Sequence, residues 1–154
     1  MDTITKKESF VKQISLYLKN SDYQSAYSLS KEFIVLFPKE LISHFLFSKS
    51  AFFLQKYEEA LAESRKAFNL ASDNDSLIAC AILSASAYYE LKDYQKGFEF
   101  LKSLEKTVSN EQIESLLFVF SLALKNDAEA LLHVDLLYKL NKKAGEELII
   151  RHLN

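Results

Sequence analysis

Apolar side chains recur along the chain at the spacing of helix turns, with polar residues between them. Phe10, Ile14 and Tyr17 form one such set in the first twenty residues. A period of three to four residues is typical of amphipathic helices packed on a core. It predicts nine helices, near residues 6–19, 22–36, 41–54, 57–71, 76–91, 94–107, 111–125, 127–140 and 144–152.

The composition agrees with a helical protein. Among 154 residues there are only two glycines and one proline. An all-β protein needs many more such residues for its tight turns. Hydrophobic residues make up 49% of the chain and charged residues 26%, which excludes an intrinsically disordered sequence. Long helices joined by short polar turns are therefore expected.

A short phrase recurs four times along the chain. Its small residues, spaced by 34, 37 and 33 positions, are Ala26, Ala60, Gly97 and Ala130. The residues three positions earlier are Tyr23, Tyr57, Tyr94 and Asp127. A period of this length indicates a repeat architecture, in which each unit is one pair of helices.

This pattern resembles the tetratricopeptide repeat, a 34-residue helix–turn–helix. The second helix of that repeat starts with a tyrosine and carries a small residue three positions later, where the two helices approach most closely. Pro38, twelve residues after Ala26, matches the proline that ends the motif. The resemblance places the repeats at about 7–40, 41–75, 78–110 and 111–142, with a further helix at 144–154.

The resemblance implies an all-α fold built as a single domain over residues 1–154. The expected architecture is a right-handed α-solenoid of three to four helix hairpins, closed by a C-terminal capping helix. Stacking is required because no single repeat buries its own apolar face. The fourth repeat is the most degenerate, since Asp127 replaces the tyrosine of its turn.

The charge balance argues against nucleic acid as a ligand. Nineteen basic residues face 21 acidic ones, which gives a formal net charge of −2. Binding to phosphate backbones depends on a surplus of Lys and Arg. No apolar run approaches the ~20 residues that a membrane helix needs, and the N-terminus does not read as a secretory signal. With its single cysteine, the chain is predicted to be cytoplasmic and not inserted in membranes.

Residues that carry chemistry are few and scattered. His44, His133 and His152 have no His or Cys partner at metal-ligand spacing, and His44 is predicted to be structural. The resemblance places Cys80 on the inner part of a first helix, where it is expected to be a small core residue. The sequence therefore predicts no catalytic residue, no metal, no cofactor and no enzymatic activity.

The resemblance implies that the first helices of the repeats line a concave, partner-binding face. The candidate binding residues are Phe45, Leu46, Lys49, Phe52, Phe53, Ile82, Leu83, Ser86 and Tyr89. The apolar members are expected to anchor a partner, and Lys49 and Ser86 to orient it. The residues that the first repeat offers to the same face, outside this candidate set, are Glu8, Val11, Lys12, Ser15, Leu18 and Lys19. The predicted function is a scaffold or adaptor that binds an apolar helical or extended segment of a protein.

The sequence is compatible with several alternative functions. The family includes a basic clamp for chaperone C-termini, but its positions hold Val11, Ser15, Leu46, Ala79 and Leu83 here, which disfavours that ligand. A second alternative is that the C-terminal helix, or a second copy of the chain in a homodimer, fills the groove. The chain is also similar in length and charge to small tetratricopeptide chaperones of type III secretion, which bind secreted apolar clients. A homo-oligomeric structural subunit is the remaining alternative.

Overall fold

The computed structural model describes residues 2–108 and 110–153, with the side chain of Leu153 left out. Within these residues the chain is all-α, without a β-strand. The helices are α1 (Thr3–Lys19), α2 (Tyr23–Leu36), α3 (Leu41–Phe53), α4 (Tyr57–Leu70), α5 (Asn74–Glu90), α6 (Tyr94–Glu105), α7 (Glu111–Ala123), α8 (Asp127–Leu140) and α9 (Lys142–Leu153). Met1, Ser109 and Asn154, which belong to the predicted domain and repeats, lie outside the described residues. The predicted all-α fold class is confirmed.

Polar side chains fix where the helices begin. Asp2 accepts a hydrogen bond of 2.7 Å from the amide of Thr5, so α1 starts three residues earlier than its apolar pattern predicts. Asp73 accepts one of 2.8 Å from the amide of Ser76, which starts α5 at Asn74. Such caps satisfy backbone amides that have no partner within the helix.

The turn between the two helices of each repeat is the same in all four repeats. One residue of each turn has a left-handed backbone; these residues are Ser21, Gln55, Lys92 and Lys125, with φ between 57° and 61°. The amide of the next residue donates to the carbonyl five positions back, as Asp22 does to Tyr17 at 2.9 Å. This pattern is the Schellman motif that ends many helices. The degenerate fourth repeat therefore forms the same turn as the others.

The chain divides into two compact units, residues 1–87 and 88–154. In the first unit, Ile14, Ala26, Phe33 and Leu46 form one buried cluster between α1, α2 and α3. A second cluster lies between α2, α3, α4 and α5; its buried members are Tyr27, Phe47, Ala51, Ala60 and Ala87. The small residues predicted at positions 26 and 60 are fully buried, at 0% exposure, where the helices meet.

The second unit has its own core, to which the C-terminal helix contributes. Phe118, Val134, Leu137 and Leu148 are buried together between α7, α8 and α9. Helix α9 packs closely on α8 at Gly145. A Cβ atom added at this position would lie only 2.8 Å from Cα of Tyr138. Ala144 and Leu148 of the last helix thus pack on the fourth repeat, whereas Ile149 and Ile150 are exposed.

Candidate functional site

A surface cavity of about 300 Å³ lies between α1 and α3 in the first unit. Its lining residues are Ser15, Leu18 and Lys19 from α1, and Leu46, Lys49 and Phe53 from α3. Ser15 lies three and four positions before Leu18 and Lys19, and the α3 positions are three, four or seven residues apart, so each set shares one helical face. The first helices of two successive repeats thus form the walls of the cavity.

The apolar part of the cavity is anchored in the core. Leu46 is only 5% exposed and belongs to the buried cluster of the first unit, against which Leu18 also packs. Phe53 is 44% exposed, and its ring stacks on Tyr23 at 4.7 Å with an angle of 11° between the planes. This stacking holds the exposed ring in place, so the cavity offers a rigid apolar surface.

The rim of the cavity is basic. Lys19 and Lys49 are both exposed and both contribute to its lining, as does the hydroxyl-bearing Ser15. Two ammonium groups beside an apolar floor suit a ligand that combines an apolar side chain with a carboxylate.

The remaining candidate residues of α3 lie beside the cavity without lining it. Phe45 is half-buried and packs on the same core cluster as Leu46. Phe52 is half-buried, and its ring meets Tyr57 edge-on at 5.2 Å. Both side chains therefore fill space between helices.

The candidate residues of α5 are partly accessible. Ile82, Leu83 and Ser86 are half-buried, and the hydroxyl of Ser86 donates to the carbonyl of Ile82 at 2.8 Å. Tyr89 belongs to the second unit and is 39% exposed, with its ring 5.2 Å from Tyr94. Of the nine candidates, only Leu46, Lys49 and Phe53 line the described cavity. The other lining residues lie on α1 and were not among the candidates.

A buried acid–base pair joins the helices of the second repeat. Nδ1 of His44 lies 2.6 Å from Oε2 of Glu63, and Nε2 lies 2.7 Å from the carbonyl oxygen of Pro38. Lys66 donates to the other oxygen of Glu63 at 2.9 Å. Burial raises the pKa of Glu63, but the hydrogen bonds from His44 and Lys66 outweigh it and leave that pKa below its ordinary value. The prediction that His44 is structural agrees with these contacts.

A larger polar cluster joins α6, α7 and α8 in the second unit. His133 is fully buried, with Nδ1 2.7 Å from Oε2 of Glu114 and 3.3 Å from Oε2 of Glu105. Its Nε2 is 3.0 Å from Oε2 of Glu129. Burial raises the pKa of Glu114, and the charge of Glu105 raises it further. Burial lowers the pKa of His133, but Glu114 and Glu105 outweigh this and raise it overall.

The two acid–base pairs occupy equivalent positions with the residues exchanged. His44 and Glu114 each lie thirteen positions before the start of their second helix, and Glu63 and His133 each lie six positions after it. Both pairs are separated by 19 residues. The pairs were not predicted from the sequence, because the partners of each pair are a histidine and a glutamate on different helices. The shared separation of 19 residues is the signal that would have revealed both pairs.

Comparison with known proteins supports this architecture. The family described as anaphase-promoting complex, cyclosome, subunit 3 matches residues 5–67. No curated protein sequence matches the chain significantly. Among solved structures, a thermophilic tetratricopeptide-repeat protein of Thermus thermophilus is 18% identical, with a TM-score of 0.73 over 94% of this chain and 78% of that one.

Two further structures share the fold. MamA is 13% identical, with a TM-score of 0.78 over 91% of this chain and 81% of its own. The TPR2B domain of yeast Sti1, solved in a complex with pHsp70, is 19% identical, with a TM-score of 0.58 over 90% of this chain and 98% of its own.

The chain is thus an all-α helical repeat protein with the tetratricopeptide-repeat fold, and the resemblance read from its sequence is confirmed. Proteins of this fold generally act in protein–protein interaction and are generally not enzymes. Among the described residues, every helix is too short or too polar to cross a lipid bilayer.

Proposed function

We propose that this protein is a non-enzymatic adaptor, which binds a segment of a partner protein in the cavity between α1 and α3. The observation that carries the proposal is the cavity of about 300 Å³ with an apolar floor and two lysines at its rim. An apolar side chain of the partner would enter beside Phe53 and Leu46. An acidic group next to it would face Lys19 and Lys49.

The chemistry of the cavity supports a protein ligand. Burying the exposed part of Phe53 and its apolar neighbours stabilises a complex by about 25 cal/mol for each Å² removed from water. A rigid aromatic ring loses little conformational entropy on binding, and for this reason aromatic residues are frequent in interface hot spots. The TPR2B domain of yeast Sti1, which shares this fold, was solved in a complex with pHsp70, and this supports a protein ligand.

The test compares two charge reversals in the full chain. Lys49→Glu places a negative charge on the cavity rim, whereas Lys39→Glu makes the same change at an exposed site outside the cavity lining. Proteins captured from a native extract by the parent chain are identified, and the segment that binds is then measured as a peptide. We expect Lys49→Glu to bind that peptide at least tenfold more weakly than the parent does. Lys39→Glu should bind it as the parent does. Equal binding by both variants would contradict the proposal.

A substitution at Phe53 tests the apolar part of the interaction. Phe53→Ser removes the exposed ring and leaves the buried Leu46 in place. We expect the helical circular-dichroism spectrum to be kept and the captured partner to be lost. Light scattering of the parent chain distinguishes the homo-oligomer alternative, since a stable dimer that loses its association on this substitution would place a second copy in the cavity.

A further inference from the structure

We propose that Glu105, Glu114 and His133 form a binding site for one divalent transition-metal ion in the second unit. One atom from each side chain, an imidazole nitrogen or a carboxylate oxygen, lies within 4.8 Å of the others. Three helices supply these ligands: Glu105 ends α6, Glu114 lies in α7 and His133 in α8. This site is independent of the cavity between α1 and α3.

The spacing of the ligand atoms suits a single ion. Two ligands of a tetrahedral zinc ion, each bound at about 2.1 Å, lie about 3.4 Å apart. Nδ1 of His133 is 3.3 Å from Oε2 of Glu105 and 2.7 Å from Oε2 of Glu114. A small outward shift of Glu114 therefore gives all three side chains one common point of coordination.

The histidine is already oriented as a metal ligand. Nε2 of His133 is 3.0 Å from Oε2 of Glu129, one helical turn before it on α8. Metal-binding histidines typically donate their second N–H to a carboxylate, which fixes the ring and directs the other nitrogen at the ion. Here that other nitrogen is Nδ1, which faces both Glu105 and Glu114.

One carboxylate oxygen of the cluster has no well-aligned hydrogen bond. Oε2 of Glu105 is buried, and among the described residues no group meets it with hydrogen-bond geometry. A buried carboxylate oxygen without a hydrogen bond is costly, and a bound cation would satisfy it. This oxygen is the one that lies 3.3 Å from Nδ1 of His133.

The charge of the cluster calls for a divalent cation. Glu105, Glu114 and Glu129 contribute three carboxylates, while Lys102 contributes one ammonium group, 3.1 Å from Glu105 and 3.8 Å from Glu129. A bound ion displaces the protons that His133 and Glu114 otherwise hold, because metal ligands are deprotonated. The deprotonated cluster then has three carboxylates and one ammonium group, and one divalent ion balances the surplus of two negative charges.

The surroundings allow an ion to enter. Glu114 and His133 are buried, but the side chains of Glu105, Lys102 and Glu129 are 19%, 31% and 31% exposed. The route from solvent therefore passes Lys102, which competes with the ion for the same carboxylates. One imidazole and two carboxylates favour Zn²⁺, Co²⁺ or Mn²⁺ over Mg²⁺, which prefers oxygen ligands and keeps several waters.

The test is a titration of the full chain with Zn²⁺ alone, followed by calorimetry, with Co²⁺ absorption reporting the ligand set. We expect one ion per chain and a rise in the melting temperature with added Zn²⁺. Glu105→Gln changes a partly exposed ligand with little change in shape, and it should weaken Zn²⁺ binding by at least about tenfold. Lys102→Ala should strengthen binding, because it removes the competing ammonium group.

The matched control is Glu63→Gln, since the pair of Glu63 with His44 has the same position in its repeat but no third metal ligand. It should bind Zn²⁺ as the parent does. No saturable binding by the parent, or full binding by both Glu105→Gln and His133→Asn, would overturn the proposal. If His133→Asn does not fold, Glu105→Gln and Lys102→Ala decide the question, because both alter partly exposed side chains.

Discussion

Gly97 lies directly against the ring of Phe120. A methyl group at position 97 would stand 2.8 Å from Cζ of Phe120 and 3.0 Å from Cβ of Tyr88. Phe120 is fully buried, and its ring is held edge-on by Tyr89 at 5.7 Å and Tyr94 at 6.4 Å. The small position of the third repeat is therefore smaller than that of the other repeats, all of which carry alanine.

We expect Gly97→Ala to destabilise the protein by about 1–2 kcal/mol, because the methyl group forces Phe120 from its place in the core. Without that contact, alanine would be more favourable than glycine in a helix interior by about 1 kcal/mol. Urea denaturation followed by circular dichroism measures the difference. In a Phe120→Leu background, which lacks the ring, Gly97→Ala should lower the free energy of unfolding by less than it does in the parent. A Gly97→Ala variant as stable as the parent would show that the ring moves freely.

The left-handed turn residues predict a stabilising substitution. Gln55 has φ of 61°, a conformation that glycine adopts without the steric cost of a Cβ atom. Gln55→Gly should therefore raise the free energy of unfolding by about 0.5–1 kcal/mol. Gln13→Gly, in the exposed middle of α1, is the control and should lower it by about 1 kcal/mol. Thermal melting of both variants checks the two opposite signs.

The pair of His44 and Glu63 predicts a defined dependence on pH. Glu63→Gln replaces a charged partner of His44 and Lys66, and we expect a loss of about 1–3 kcal/mol at neutral pH. Because the pKa of Glu63 is lowered in the folded protein, its ionisation stabilises the fold above its unfolded pKa. That stabilisation is lost as the pH falls through the folded pKa.

The measurement is urea denaturation of the parent and of Glu63→Gln between about pH 6 and pH 3, around the ordinary glutamate pKa of about 4.3. The difference between the two proteins should be largest at pH 6 and should shrink below about pH 4.5. Glu58→Gln, at an exposed site on α4, is the control. A difference that stays constant over this range would mean that the charge of Glu63 contributes nothing.

Cys80 predicts a simple test of burial. It has 0% exposure, and burial, with the nearby charge of Asp73, raises the pKa of its thiol to about 11. Only the thiolate reacts rapidly with disulfide reagents. Near pH 8 we expect the folded protein to react at least a hundredfold more slowly than the protein in urea. Fast reaction without denaturant would place Cys80 on an open part of α5.

The repeat architecture was predictable because it depends on spacing alone. Ala26, Ala60 and Ala130 recur at helical hairpin distances, and each is buried where two helices meet. The first helix begins earlier than predicted because its start depends on a single side chain, Asp2, outside the apolar pattern. The turn formed before Asp127 shows that the tyrosine of the motif is not required for the turn itself.

The candidate site was predictable only in part. The sequence pattern places Phe52 and Phe53 on the same turn of α3, but it does not state which of them is held against the core. In the structure Phe53 stacks on Tyr23 at the surface, and Phe52 turns inward toward Tyr57. The cluster around His133 assembles side chains from three helices, and such a meeting depends on tertiary packing more than on local spacing.

The exchanged acid–base pairs have a consequence for how this chain tolerates change. In the second repeat the first helix supplies the histidine, whereas in the fourth repeat it supplies the glutamate. The hairpin therefore accepts either orientation, provided that a base always meets an acid. Replacing one residue of a pair leaves the other buried without its partner, which is costly. Substitutions at these positions are therefore tolerated best when both residues of the pair change together.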